Sequence, residues 1–422
     1  MDNRIRREII PGVFLTYIPS GRFKTCYMSI SLLRPLEKDA AARNNLLPRV
    51  LDRGTAQLPD MERIAARLDD LYGARLVPVV RKKGEVQCVG FASTFIDDRF
   101  VDDKELLEKV TELIGQMLLA PATVGGRFIN EYVESEREKL IEDIRSVVND
   151  KRRFCLNELV KAMCINEKFS ISNMGTEPYA KLITGSRLFR HYAEIIGSST
   201  IEIFYCGSAE IERVTDAIEQ ALAPLPQGEK TPVHTINRGA PAKPKFLSSE
   251  TDGKQSNLAI GLRNPVSIAD VRYPAAALMN SVFGGSATSK LFMNVREKLS
   301  LCYYASASYF KHKGLIIVSS GIEKDNYDKA LDEILAQLKA MQNGEIEDWE
   351  LESARQGMIG SLRATMDSPG MMEDFYLSRA IEGLDYDPDY LIRRLENVTK
   401  DEVIEMAQYT ALDTVYFLKG MD

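Results

Sequence analysis

Histidine and tryptophan are scarce in this chain of 422 residues, which has three of the first (His191, His234, His312) and one of the second. The histidines lie far apart and read as chance surface or partly buried residues, not as a metal site. The six cysteines (Cys26, Cys88, Cys155, Cys164, Cys206, Cys302) include no Cys-x-x-Cys pair. They read as reduced, mostly buried thiols, which sets aside both a disulfide scaffold and a cysteine zinc site. No run of 18 apolar residues occurs, so a simple spanning helix is excluded. The N-terminal stretch 1–8 lacks the apolar core of a signal peptide, and a cytoplasmic protein is expected. The formal charge of −7 argues against nucleic acid or an anionic membrane as the main partner. Two nucleotide or nucleophile motifs also fail. Position 289 is Ser where a phosphate loop needs Gly before Lys290, and Thr288 stands where a nucleophile elbow ends in Gly.

What is present is ordinary for a globular protein: 45% apolar and 27% charged residues, on a chain too long for one core. Residues 12–17 and 24–33 read as a hairpin around Pro19-Ser20-Gly21. Helices follow over 39–52 and 59–72, then strands at 75–80 and 85–93 around a Lys82-Lys83-Gly84 turn. Residues 104–119, 127–149 and 152–164 read as helical, and 201–205 as a strand. A Pro/Gly-rich linker covers 227–245. Beyond it the order recurs: strand 256–263, helix 273–283, strand 315–321, helices over 326–341, 349–365 and 371–383, and strand 414–418. Thr399 and Glu402 have capping-box spacing ahead of Val403. The fold class expected is α+β, as two homologous halves (1–226 and 246–422), each an antiparallel sheet covered by helices.

The stretch 283–308 carries the most specific chemistry. A Gly284-Gly285 loop feeds a helix with Leu291, Phe292, Val295 and Leu299 as its apolar stripe, and a strand begins near Tyr303. Arg296 at the helix end and Tyr303 at the strand start are expected to turn toward one pocket. As structural residues, the Arg would pair with a carboxylate and the Tyr would pack in the sheet. As functional ones, they would donate hydrogen bonds to a peptide carbonyl or oxyanion.

Gly-Gly, Lys-Leu-Phe, Val-Arg-Glu-Lys and the Tyr seven residues after the Arg resemble the C-terminal half of the pitrilysin/insulinase zinc peptidases, nearest their mitochondrial-processing-peptidase-like branch. The resemblance implies a metallopeptidase LuxS/processing-peptidase-like fold across essentially the whole chain. It also implies a zinc site on the first long helix, where the family has His-x-x-Glu-His shortly before Gly-Thr. Counted back from Gly54-Thr55, those positions here hold Asn45, Pro48 and Arg49. The third ligand, a Glu seven residues after another Glu, corresponds to Asp143 after Glu136, one methylene short. An amide, an imino ring and a guanidinium make no zinc site, and neither metal nor other cofactor is expected. Pro48 also deletes a helical N–H, at a cost of about 3 kcal/mol in an ordinary interior. The expectation is a non-catalytic chain that binds peptide or unfolded-protein substrate beside a homologous zinc-bearing peptidase subunit, two bowl-shaped chains facing one another round a chamber. Arg296, Tyr303, Gly284 and Gly285 would be its substrate-binding residues, with catalytic residues none. A homodimeric peptide-binding or scaffold pseudoenzyme without a catalytic partner is the alternative.

Overall fold

A computed structural model of the protein describes residues 4–421; the first three residues of the N-terminal stretch lie outside them. Strands β1 (Ile5–Ile10), β2 (Val13–Pro19), β3 (Thr25–Pro35), β4 (Arg75–Lys83) and β5 (Val86–Ile96) open the chain. A two-residue ribbon, β6 (Thr123–Val124) and β7 (Arg127–Phe128), precedes β8 (Thr200–Gly207). The second half contributes β9 (Lys245–Asp252), β10 (Ser256–Arg263), β11 (Cys302–Phe310), β12 (Leu315–Ile322) and β13 (Ala411–Met421). No helix among the described residues is long and apolar enough to cross a membrane.

Two sheets result, ordered β1-β2-β8-β3-β5-β4 and β11-β12-β10-β13-β9. Reversed, the second reads β9-β13-β10-β12-β11, the same succession as β2-β8-β3-β5-β4. Each sheet is antiparallel except for one parallel pair, β2 with β8 and β13 with β9. The internal duplication is therefore a repeat of topology, down to the parallel pair. One sequence expectation fails here. β2 and β3 are not a hairpin, because β8 lies between them, parallel to β2 and antiparallel to β3. β8 is apolar and buried along nearly its whole length, which suits a central strand better than a place outside a hairpin.

The chain divides into two compact units that are not contiguous in sequence. The first holds residues up to Arg145, Ile171–His234 and Pro369–Ile381; the second holds Ser146–Ser170, Thr235–Ser368 and Glu382 onward. Each half of the sequence thus lends one helix to the other's unit. In the first unit, Val13, Leu15, Ile30 and Leu32 pack with Leu46, Leu47, Leu113, Leu188 and Ile195 from the covering helices. The helix Pro369–Ile381 also belongs to this unit, where Leu377 packs on Leu33, Val86 and Cys88. Its Glu373 pairs with Arg81 and accepts from Ser29 Oγ at 3.2 Å. In the second unit the helix Lys151–Met163 lays Cys155 and Leu159 on Ala259, Ile317 and Leu418.

Residues 225–244 carry neither helix nor strand, as the Pro/Gly-rich composition leads one to expect. Lys230 Nζ donates to the Gly197 carbonyl at 3.0 Å in the first unit. In the second, a buried charge cluster holds the later part of the segment. Arg263 meets Asp413 at 2.6 Å and Glu167 at 2.5 Å, and Lys313 meets Glu167 at 2.6 Å. These two cations also donate to the carbonyls of Arg238 and Ile236.

Candidate functional site

The helix Ala41–Leu51 places Asn45, Pro48 and Arg49 along one side, at i, i+3 and i+4. It runs through Pro48 to Leu51, so the proline does not end it. The helix Asn130–Ser146 faces it, with Glu136 and Asp143 two turns apart on the same side. Arg49 Nη1 lies 2.8 Å from Asp143 Oδ2, and the two side chains are 26% and 50% exposed. One turn on, Arg53 reaches Glu136 at 3.0 Å and stacks over the Tyr132 ring at 5.0 Å. Lys139 closes on the same Glu136 oxygen at 2.7 Å. Burial, then the charge of Glu136, pushes the Asp52 carboxyl up to about 6.

Every carboxylate that would face a metal here is instead matched by a guanidinium or ammonium. A divalent cation would have to displace a positive charge and bind without an imidazole, so these residues do not fit zinc. Among the described residues, no group of three or more His, Cys, Asp or Glu side chains could hold a metal ion.

Behind Asn45 lies a buried polar frame that sequence reasoning missed. His191, on the helix Gly185–Ser198, sits with Nε2 2.6 Å from Asn44 Oδ1. Asn44 Nδ2 donates to Gln87 Oε1 at 2.9 Å, and Gln87 Nε2 donates to the carbonyls of Asn173 (2.8 Å) and Ala41 (3.2 Å). Asn45 Nδ2 donates to that same Asn173 carbonyl at 3.3 Å. Burial, then the charges of Arg43 and Arg34, pushes His191 down to about 3, so the imidazole is neutral. The spacing of Leu188, Tyr192 and Ile195 could have revealed the helix, but nothing local marked its His as central. His312 is also buried, 2.7 Å from Glu382.

In the second unit, the chain leaves the helix Tyr273–Asn280 through a wide π-helical turn, Ser281–Gly285, and takes a second one over Leu291–Lys298. Gly284 and Gly285 therefore stand within a π turn, not a flexible loop. A Cβ on Gly284 would lie 2.7 Å from Ala307 Cβ and Leu291 Cδ1, so its bare backbone serves close packing against β11. Gly285 is exposed. A buried ion pair, Lys290 with Glu350 at 2.8 Å, anchors the segment between the turns. The wider spacing buries Leu291 and Val295 fully and leaves Leu299 exposed, which shortens the apolar stripe read from the sequence.

Arg296 and Tyr303 emerge from this scaffold toward solvent. Arg296 is 40% exposed, 3.3 Å from Glu297, with its guanidinium over the Phe292 ring at 4.7 Å. Tyr303 is 58% exposed, and its hydroxyl donates to Glu323 at 3.3 Å. It lies on the edge strand β11, where the register with β12 shifts between Cys302 and Tyr304. Between the two residues, Ser300 takes a positive φ of 50°, uncommon outside glycine, to turn the chain into β11. The two side chains have different partners.

The fold is a duplicated α+β one, and the facing helices Ala41–Leu51 and Asn130–Ser146 hold ion pairs where the resemblance implies a metal site. Comparison with known proteins identifies the family. Residues 183–358 match the family model described as Peptidase M16 inactive domain. The probable inactive metalloprotease YmfF of Bacillus subtilis is 32% identical over 414 residues, covering 97% of this chain and 96% of the relative. A conserved protein from Enterococcus faecalis has a crystal structure with a TM-score of 0.92 at 26% identity, over 100% of this chain and 99% of that one. The M16 inactive domain protein from Pseudomonas fluorescens superimposes with a TM-score of 0.84 at 15% identity, over 100% and 99% of the two chains, which speaks for the fold alone. The chain belongs to the M16 peptidase family, as an inactive homologue.

Proposed function

We propose that this chain is the non-catalytic subunit of a heteromeric zinc peptidase. A homologous chain with an intact His-x-x-Glu-His helix supplies the metal and the base. This chain presents Arg296, Tyr303 and the exposed Gly285 of the Gly284-Gly285 turn to a peptide or unfolded-protein substrate, and its donors face the carbonyl oxygen where charge develops. The observation that carries the reading is the state of Tyr303, more than half exposed on an edge strand. Its hydroxyl is engaged only through a bond of 3.3 Å to Glu323, at the long end for O–H···O, which a peptide oxygen can displace. The π turn that carries Arg296 and the one before it support the reading, since such turns recur at functional sites. Six free cysteines suit a reducing compartment, and the reading keeps both chains in the cytoplasm.

The test mixes this chain with a zinc-bearing homologue from the same cell and follows a quenched peptide. Tyr303→Phe is expected to lower kcat about 100-fold, the usual effect of removing one oxyanion donor. Arg296→Ala is expected to raise KM. Turnover unchanged in both variants removes these residues from the mechanism, and failure of the two chains to co-purify removes the pair.

A further inference from the structure

The first sheet has two edges, β1 and β4; β4 is the one beyond β5, which pairs with β3 on its other side. An exposed edge strand is a template for an incoming peptide, and strand addition needs its outward N–H and C=O groups. Two features spoil that row. Pro78 stands in mid-strand opposite Phe91, and its nitrogen has no hydrogen, so it belongs on the side facing away from the ladder. Val80, two residues on, directs its groups to the same side, and its carbonyl already accepts from Asn173 Nδ2 at 3.0 Å. Next along, Lys82 Nζ donates to the Ile171 carbonyl at 3.0 Å.

The segment lying there, 171–175, is held from behind. The Asn173 carbonyl takes hydrogen bonds from Gln87 and Asn45. Met174 packs against the first unit's core. Gly175 has a φ of +70°, and a Cβ there would lie 2.6 Å from the Ala42 nitrogen, so only glycine lets the segment sit this close to the helix Ala41–Leu51. Gln87 is itself fixed through Asn44 and His191.

We infer that 171–175 is a fixed strap that closes the β4 edge to peptide strand addition, with Asn45, at a degenerate metal-ligand position, as one of its anchors. Peptide recognition by this chain then falls to edges other than β4, among them β11, which carries Tyr303. That corollary rests on the proposed function, whereas the closure itself does not. Asn45 acts here as a positioning residue: its amide holds the strap carbonyl, and the strap's own amide caps the strand.

The experiment compares wild type with the double variant Pro78→Val/Asn173→Gly, using a fluorescein-labelled peptide of alternating valine and lysine. Anisotropy measures binding, and hydrogen exchange maps protected backbone. The double variant is expected to bind the probe at least tenfold more tightly than wild type, with new protection over residues 76–82. Protection of 76–82 by the probe in wild type overturns the closure, as does a folded double variant that gains neither binding nor protection. Should the double variant not fold, Asn173→Asp keeps the side-chain shape but loses the donor to Val80. Amide exchange over 76–82 should then rise about tenfold, the effect of one good hydrogen bond, and unchanged exchange overturns the proposal. Wild type that binds no peptide anywhere sinks the substrate-presenting role, while the strap is still judged on the variants.

Discussion

Replacing His191 probes the frame behind the helix Ala41–Leu51 through a pH dependence whose sign is fixed by the structure. Asn44 uses its Nδ2 to donate to Gln87, so its Oδ1 must accept, and the neutral imidazole carries its proton on Nε2. Protonating the ring as well would place a full charge in a buried site already facing Arg43 and Arg34, which is why its pKa falls from 6.5 to about 3. The folded value lies below the unfolded one. The stability it confers is therefore complete above about pH 6.5 and is lost as pH falls toward 3. At about 1.36 kcal/mol per unit, lowering the pH from 7 to 5 costs the folded chain about 2 kcal/mol through this one group.

Wild type does not display that cost bare. Glu202 on β8 is buried, and desolvation outweighs its 2.5 Å contact with Arg6, raising its carboxyl from 4.5 to about 7. A raised carboxyl works in the opposite sense: the folded state takes up a proton as pH falls from 7 toward 4.5 and recovers about 2 kcal/mol by pH 5. The two opposing groups lie in the same unit, so the informative quantity is the difference between variant and wild type. His191→Gln, which keeps a donor toward Asn44, should gain about 2 kcal/mol on wild type between pH 7 and pH 5. Glu202→Gln should lose about as much over the same interval. Urea unfolding followed by circular dichroism at the two pH values measures both. A flat difference curve for His191→Gln, or an imidazole carbon resonance titrating near pH 6, would refute the reasoning.

Two other outcomes follow from the charge arrangements. Arg263→Met leaves Glu167 and Asp413 buried with one cation fewer between them, and should cost about 3–5 kcal/mol, read from the urea midpoint of Trp349 fluorescence. The fourfold variant Asn45→His/Pro48→Glu/Arg49→His/Asp143→Glu should bind one zinc per chain by elemental analysis after dialysis, while Arg49→His alone should bind none. The present N–O contact spans 2.8 Å, whereas N–Zn–O needs two bonds of about 2.0–2.1 Å. The longer Glu and shorter His redistribute reach across the same gap. A metal-free fourfold variant would mean that the two helices no longer stand at ligand distance.

How much of this was legible depended on whether the determining interaction was local. The Thr399–Glu402 capping box and the turn at Gly84 form as their spacing predicts, because each is decided within a few residues. Strand β10 keeps the limits read from the sequence, being apolar on both faces and central. The hairpin of β2 and β3 was misread because the intervening partner, β8, is supplied from far along the chain. β1 and β9 escaped notice for the opposite reason: both are edge strands, largely exposed, and show no apolar alternation. Counting back from Gly54-Thr55 singled out Asn45, Pro48 and Arg49, the seven-residue spacing after Glu136 singled out Asp143, and the structure brings Arg49 to Asp143. The role of Asn173 was invisible, since it meets the helix through its backbone carbonyl and the strand edge through its side-chain amide, and only tertiary structure brings these together.

The physical link between the altered helix and the closed edge is the Asn45 amide. A zinc-ligating imidazole uses one nitrogen on the metal and commonly its other N–H on a carbonyl or carboxylate behind it. Asn45 has no metal in front, and its donor goes to the carbonyl of the strap. The Asn45 amide thus contributes a hydrogen bond toward holding shut the edge where a peptide strand would pair. On this logic, Asn45→His alone should not reopen β4 so long as Gln87 still holds the Asn173 carbonyl at 2.8 Å and Pro78 still interrupts the outward row. Edge closure involves Asn45 but is secured by several residues, so it does not revert by a single change.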